Sequence, residues 1–159
     1  MPGTQFARAT VRGVYPGVDI QPIMKISRVL VVRAWLQMLM IDCRLKFTKF
    51  EAVQKWIVEA AKLKANQTND CPTSAPRVID EVCRVVQTAS RFYYRVRRDC
   101  LPNAMLAFYL MRKLGLPVEL CLGVRKFPFK AHAWVEFEGR VVFTTPADIP
   151  KYKVIMKMI

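Results

Sequence analysis

Between Cys100 and Thr144 the hydrophobic pattern changes period once, and that change dictates the order of the architecture. Cys100 to Pro102 carries proline in a first helical turn, Arg112 and Lys113 place cations in the last turn, and Gly115 follows just beyond. Both ends of a helix are thereby marked. Its body, Ala104 to Leu110, is apolar on almost every side, which suits a central helix rather than a surface one. Beyond it, Val118 to Val124 (VELCLGV) and His132 to Thr144 (HAWVEF, EG, RVVFT) alternate at period two around Glu138-Gly139. The expectation for the C-terminal third is an antiparallel sheet packed on a central helix, an α+β arrangement.

Upstream the pattern is helical. Residues 1–22 contain three glycines with Pro2, Pro16 and Pro22 and read as an irregular arm. From Ile23 to Arg44 the chain is apolar nearly all round, relieved by Lys25, Arg28, Arg33 and Gln37, which suits a buried or interface-docked helix. Thr48 and Glu51 have the T-x-x-E spacing of a capping box, with Phe50, Val53, Trp56 or Ile57, Ala60 and Leu63 at helical spacing behind it. Ala65 to Pro76 (ANQTNDCPTSAP) is polar and turn-rich. It is read as a linker, dividing the chain into an arm (1–22), a helical N-terminal region (23–66) and a C-terminal module (67–159). After a Ser74 cap, Ile79, Val82, Val86, Ala89, Tyr93 and Val96 mark the buried face of a long helix. Arg77, Arg84, Arg91, Arg95 and Arg98 form a basic stripe on it, read first as a solvated face and second as a docking surface for an acidic peptide or partner.

At 159 residues the chain has material for one core. Its 26 basic and 12 acidic residues, net +14, predict attraction to something anionic without choosing among nucleic acid, a membrane face and an acidic protein. No helix-turn-helix, zinc module or RNA-binding aromatic signature is present, so nucleic acid is not the expected partner. The five cysteines are odd in number and form no CxxC pair, so neither a disulfide framework nor a zinc site is suggested, and no cofactor or metal is expected. Val29 to Ile41 is interrupted by Arg33 and falls short of the roughly 20 residues a spanning helix needs. Met1 to Asp19 lacks the apolar segment of a signal peptide. A cytoplasmic protein is expected, with peripheral membrane contact as its one membrane option.

A thiol becomes a useful nucleophile when its pKa falls, and a helix N-terminus lowers it by favouring the thiolate. Cys100 occupies such a position, whereas Cys43 lies near a helix end, Cys71 in the linker, Cys83 mid-helix and Cys121 mid-strand. The only histidine, His132, opens a strand, and a cysteine protease needs one imidazole near the sulfur as base and then acid. An isolated cysteine is more often a small core hydrophobe, and an isolated histidine is more often structural. The helix-then-sheet context of the two together favours a catalytic pair.

The same residues resemble a known family. Arg97 to Tyr152 is similar to the leader-peptidase (B-type) proteins of lasso-peptide biosynthesis, a branch of the transglutaminase-like superfamily with a papain/transglutaminase-like fold. The matching parts are the CLP helix start, K-L-G-L-P-x-E-L running into a strand, G-V-R-K, and A-H-A-W-V-E-x-x-G-R-V. The likeness extends loosely upstream through Leu30 to Ile41 and the Arg-rich helix. It implies that Cys100 attacks the bond joining leader to core in a ribosomally made precursor peptide, that His132 moves the proton, and that water releases the acyl-enzyme. The family often prefers a threonine at the penultimate leader position. The resemblance also implies two partners: a discrete leader-recognition protein, because only an arm and two helices precede the linker, and an ATP-dependent lasso cyclase, since this chain has no phosphate-binding Gly-rich loop.

In one place the chain departs from the family. The third catalytic member is usually an aspartate twelve positions after the histidine, and this chain has Thr144 there, followed by Thr145. A two-residue Glu138-Gly139 turn would place Thr145 opposite His132, and a three-residue loop would bring up Thr144; the sequence leaves this open. Asp148, the nearest downstream acid, is the candidate third member, and Glu136 is less well placed along the strand. Oxyanion donors are expected from the Cys100 amide and a second group such as Gln87. Trp134 is read as core. The alternative function is a transglutaminase-like module, weak or inactive, that only binds the precursor or partner proteins.

Overall fold

A computed structural model of the chain describes residues 27–65, 75–93, 100–143 and 146–159. The expected arm, the start of the first helix at 23–26, residues 66–74 of the linker with the Ser74 cap, Arg95, Val96 and Arg98, and the Thr144-Thr145 pair lie outside the described residues, while Ala65, Ala75 and Pro76 of the expected linker are helical. Among the described residues four helices precede and cover a small antiparallel sheet, the α+β architecture expected from the change of period.

Helix α1 (Arg28–Phe47) buries Ala34, Met38 and Ile41 at spacings of four and three, with Asp42 beside them. Val29, Val32, Leu36 and Phe47 face outward and are exposed. Its all-round hydrophobicity is therefore one core face and one open apolar face, not full burial. The helix runs three residues past Arg44, where its expected span ended, because Thr48 closes it: the Thr48 backbone N–H and hydroxyl both donate to the Arg44 carbonyl, at 2.8 and 2.7 Å. That use of the hydroxyl corrects the capping-box reading. Thr48 ends α1 instead of starting α2 (Phe50–Ala65), whose first amides turn back to the Lys49 carbonyl. Among the described side chains of α2 Val53 and Ile57 are buried, and Trp56 stacks on Tyr109 with ring centroids 6.5 Å apart.

Helix α3 (Ala75–Tyr93) buries Ile79, Val82, Val86 and Ala89 as the periodicity predicts, and also Asp80, Cys83 and Val85. The basic stripe is broken by this wider buried face. Arg77 and Arg91 are exposed, but Arg84 is drawn into a 3.1 Å ion pair with the buried Asp80 one turn earlier. Asp42 makes the corresponding polar tie in α1, accepting from Tyr93 Oη at 2.6 Å and from Lys46 Nζ at 2.7 Å, and so joins the C-terminal end of α3 to α1.

Helix α4 (Cys100–Lys113) spans the stretch read from its end signals, and Ala104, Met105, Leu106, Ala107 and Phe108 are sealed from solvent. Gly115, at φ 82°, takes the left-handed position that ends it, and the Leu116 N–H reaches back to the Met111 carbonyl at 3.1 Å. Strands β1 (Val118–Arg125), β2 (Lys130–Phe137) and β3 (Arg140–Phe143) follow. A 3₁₀ turn (Pro146–Lys151) then leads into β4 (Lys153–Met158), which pairs on the other edge of β1, giving the order β3-β2-β1-β4. Strand β4 was not anticipated.

Glu138 (φ 50°) and Gly139 (φ 72°) form a two-residue turn with both φ values positive, as a tight hairpin requires, and Phe137 pairs with Arg140. A bulge then shifts the register between Val135 and Glu136, and the ladder's last pair is Val135 with Phe143. The two-residue option holds at the turn, and the bulge moves β3 one residue out of the unbroken register that would have set Thr145 opposite His132.

The Asp42 tie carries a prediction. Asp42→Ala leaves the Tyr93 hydroxyl and Lys46 without this acceptor and is expected to lower stability by about 2 kcal/mol, while Tyr93→Phe costs about 1 kcal/mol. Urea denaturation of both variants checks the order.

Candidate active site

The site is built by the reversal between α4 and β1. Only residues 114–117 connect them, so β1 runs back along the helix it packs against. Fourteen helical residues span about 21 Å, and Gly123 stands about 17 Å along β1 from Val118. Gly123 is the register partner of His132. Topology therefore brings the first turn of α4, with Cys100, and the opening of β2, with His132, to the same end of the molecule. Both side chains are half-buried.

Alternation along β2 separates two faces. Ala133, Val135 and Phe137 enter the core beneath the helices, and His132, Trp134 and Glu136 belong to the other face, opposite Gly123, Cys121 and Glu119 of β1. On that face the His132 ring lies 5.4 Å from the Tyr152 ring and 6.3 Å from that of Trp134, centroid to centroid. Trp134 is fully buried, in keeping with its reading as core, and donates Nε1–H to Glu136 Oε1 at 2.8 Å. Gly123 makes the arrangement possible. A Cβ there would stand 2.7 Å from Trp134 Cη2 and 3.1 Å from Tyr152 Cβ, so any side chain pushes against the Trp134 ring and the base of the Tyr152 side chain, the two residues that flank His132.

Glu136 has work other than orienting His132. Besides Trp134 it accepts from Lys157 Nζ at 3.0 Å, and Lys157 also bridges to Glu119 at 3.1 Å. Burial pushes Glu136 upward, but the hydrogen bonds from Trp134 and Lys157 prevail and hold its carboxyl below the usual range. The hydrogen bonds to Glu136 and Glu119 in turn raise Lys157. Glu119, Cys121 and Glu136 bring potential ligand atoms within 4.8 Å of one another, the described group most like a metal site. Its chemistry is wrong for a thiolate site. Lys157 already bridges both carboxylates, and burial, with Glu136 alongside, pushes the Cys121 thiol up to about 12.

Of the sequence candidates, Cys100 is the first residue of α4 and His132 the third of β2. Asp148 falls in the 3₁₀ turn between β3 and β4, and its side chain lies outside the described ones. Gln87 is half-buried in the middle of α3, a helix that packs on α4. Cys83, buried with its Sγ 3.3 Å from the Val142 carbonyl and its pKa raised by burial and then by Asp80, is structural. Sequence reasoning missed Tyr152 and Gly123. The Gly123 signal was a glycine inside an alternating strand, which marks close approach; for Tyr152 the only cue was an aromatic just before the unread strand β4.

The family model of the transglutaminase-like superfamily matches residues 38–157, from the middle of α1 to the end of β4, and the chain belongs to that superfamily. The superfamily includes cysteine peptidases. Comparison with curated proteins and with solved structures finds no match. Among the described residues no helix is long and apolar enough to cross a membrane.

Two outcomes are expected. Gly123→Ala is predicted to destabilise the fold by about 1–3 kcal/mol through overpacking against Trp134 and Tyr152, measured by chemical denaturation. Because the Glu136 carboxyl is held low in the folded state, its contribution is complete above the ordinary carboxylate range and is lost as pH falls through its depressed value. Glu136→Gln should therefore flatten the acid limb of a melting-temperature profile, and an unchanged limb would assign acid unfolding to other groups.

Proposed function

We propose that the protein is a cysteine peptidase that removes the leader from a lasso-peptide precursor, with Cys100 as nucleophile and His132 as base and then acid. The observation that supports the proposal is that chain topology directs the α4 N-terminus and the opening of β2 toward the same end of a transglutaminase-like domain. The thiolate at the helix start attacks the scissile carbonyl, the imidazolium donates its proton to the departing amine, and water then cleaves the thioester with the imidazole as base. The Cys100 backbone N–H is one oxyanion donor in this scheme. Asp148 is the proposed orienter, since the 3₁₀ turn that carries it connects the two edge strands of the sheet and ends one residue before Tyr152, whose ring is 5.4 Å from that of His132. The substrate class and the two partners, a leader-recognition protein and an ATP-dependent cyclase, rest on the motif resemblance in Arg97 to Tyr152.

The test is mass spectrometry of a precursor peptide encoded beside the gene, incubated with the protein and its recognition partner. Wild type is expected to cut one bond, Cys100→Ala to cut none, and His132→Ala to be slower by at least about 100-fold; Asp148→Ala then measures the orienter. If precursor and partner bind but wild type never cuts, the domain is a binding module. A thiol map gives a second readout. Iodoacetamide at neutral pH should modify Cys100 faster than the exposed Cys43 and leave the buried Cys83 and Cys121 untouched.

A further inference from the structure

Among the described residues the three most exposed large apolar side chains are Phe127 (88%), Phe47 (85%) and Phe129 (76%), and two of them share one four-residue turn. A single exposed aromatic needs no explanation, but two on one turn between Lys126 and Lys130, both exposed, form an aromatic tip with cationic shoulders. The turn leaves the sheet at the Arg125-Lys130 pair, two rungs beyond Gly123 and His132, or about 7 Å along the strands. It therefore stands at the mouth of the candidate active site.

We infer that the Lys126–Phe129 turn is the substrate-holding element of the peptidase: Phe127 and Phe129 grip an apolar segment of the peptide beside the scissile bond, and Lys126 and Lys130 attract acidic side chains flanking that segment. The inference rests on the proposed peptidase activity for the identity of the occupant. An extended peptide reaching Cys100 at this end of the molecule passes a turn that presents two exposed rings to solvent. Aromatic side chains supply large contact area at small cost in lost conformational freedom, and the lysines favour acidic neighbours at moderate ionic strength. Neither ring belongs to the core cluster, so both can be removed without opening the fold.

The experiment measures binding of the same precursor peptide, fluorescein-labelled, to full-length Cys100→Ala protein by anisotropy, and cleavage kinetics in the Cys100 background. Adding Phe127→Ala and Phe129→Ala together is expected to weaken binding about 10-fold and to raise KM about as much while leaving kcat within about 3-fold, the pattern of uniform binding lost. Phe127→Trp with Phe129→Trp should restore affinity, and circular dichroism melts should be unchanged. Lys126→Glu with Lys130→Glu should weaken binding and flatten its salt dependence. If wild type does not cut but binding still falls with the rings, the peptidase reading fails and the turn stands only as the peptide-holding element of a binding module. If cleavage is intact and KM does not move, the inference is overturned while the peptidase reading stands. Loss of binding to phosphatidylglycerol vesicles with peptide affinity retained would also overturn it, reassigning the turn to lipid.

Discussion

Helix α4 has almost no solvent face, and a helix sealed along Ala104 to Phe108 and again at Met111 has to be enclosed by other elements. Helices α1, α2 and α3 and strands β1 and β2 all pack on it. Burial of this one helix sets the layer order, because a sheet and a set of helices can both cover the same segment only from different sides. It also determines where chemistry can occur. The body of α4 is inaccessible, so the part of the helix left open to chemistry lies at its ends, and at the first turn the unpaired amides and the dipole act on whatever side chain stands there. Cys100 stands there.

The other constraint is the face of the sheet turned away from α4. Cys121 and Trp134 are fully buried on it and are not part of the main core cluster. A second, smaller packed layer exists there, made of Trp134, Tyr152 and the Glu119-Glu136-Lys157 ion pairs, with Gly123 as its thin spot. His132 joins the two layers, since it opens the strand whose alternate residues enter the main core and its own ring rests on the second layer. The His132 ring is flanked there by the Tyr152 and Trp134 rings.

Legibility in the sequence followed the source of each signal. Helix α4 and the β1–β3 strands were readable because their end residues and their periods agree, as at Pro102, Gly115 and Glu138-Gly139. Cys100 and His132 were readable as candidates because a helix start and a single histidine need no tertiary information. Strand β4 escaped because Lys153–Met158 alternates weakly and its partner β1 lies nearly thirty residues upstream. The Thr48 cap was misassigned because one hydroxyl suited two helix ends, and backbone geometry chose the earlier. Arg84 read as part of a solvated stripe because its partner Asp80 is one turn away, a spacing equally compatible with surface and burial.

The cysteines sharpen the functional argument more than the histidine does. A chain with several thiols can direct electrophiles to one of them only if the rest are suppressed, and burial is the general means of suppression because it disfavours the charged form. Cys83 and Cys121 are held as neutral thiols by burial and by neighbouring carboxylates, Asp80 and Glu136. Cys43 is exposed on the outward side of α1, away from any helix start. Of the described cysteines only Cys100 combines access with a helix N-terminus, and it stands at the end of the molecule where the lone histidine opens its strand. The fold thus sorts chemically equivalent side chains into buried and accessible ones by position, and it is this sorting, rather than the presence of a cysteine, that supports the proposed thiol peptidase.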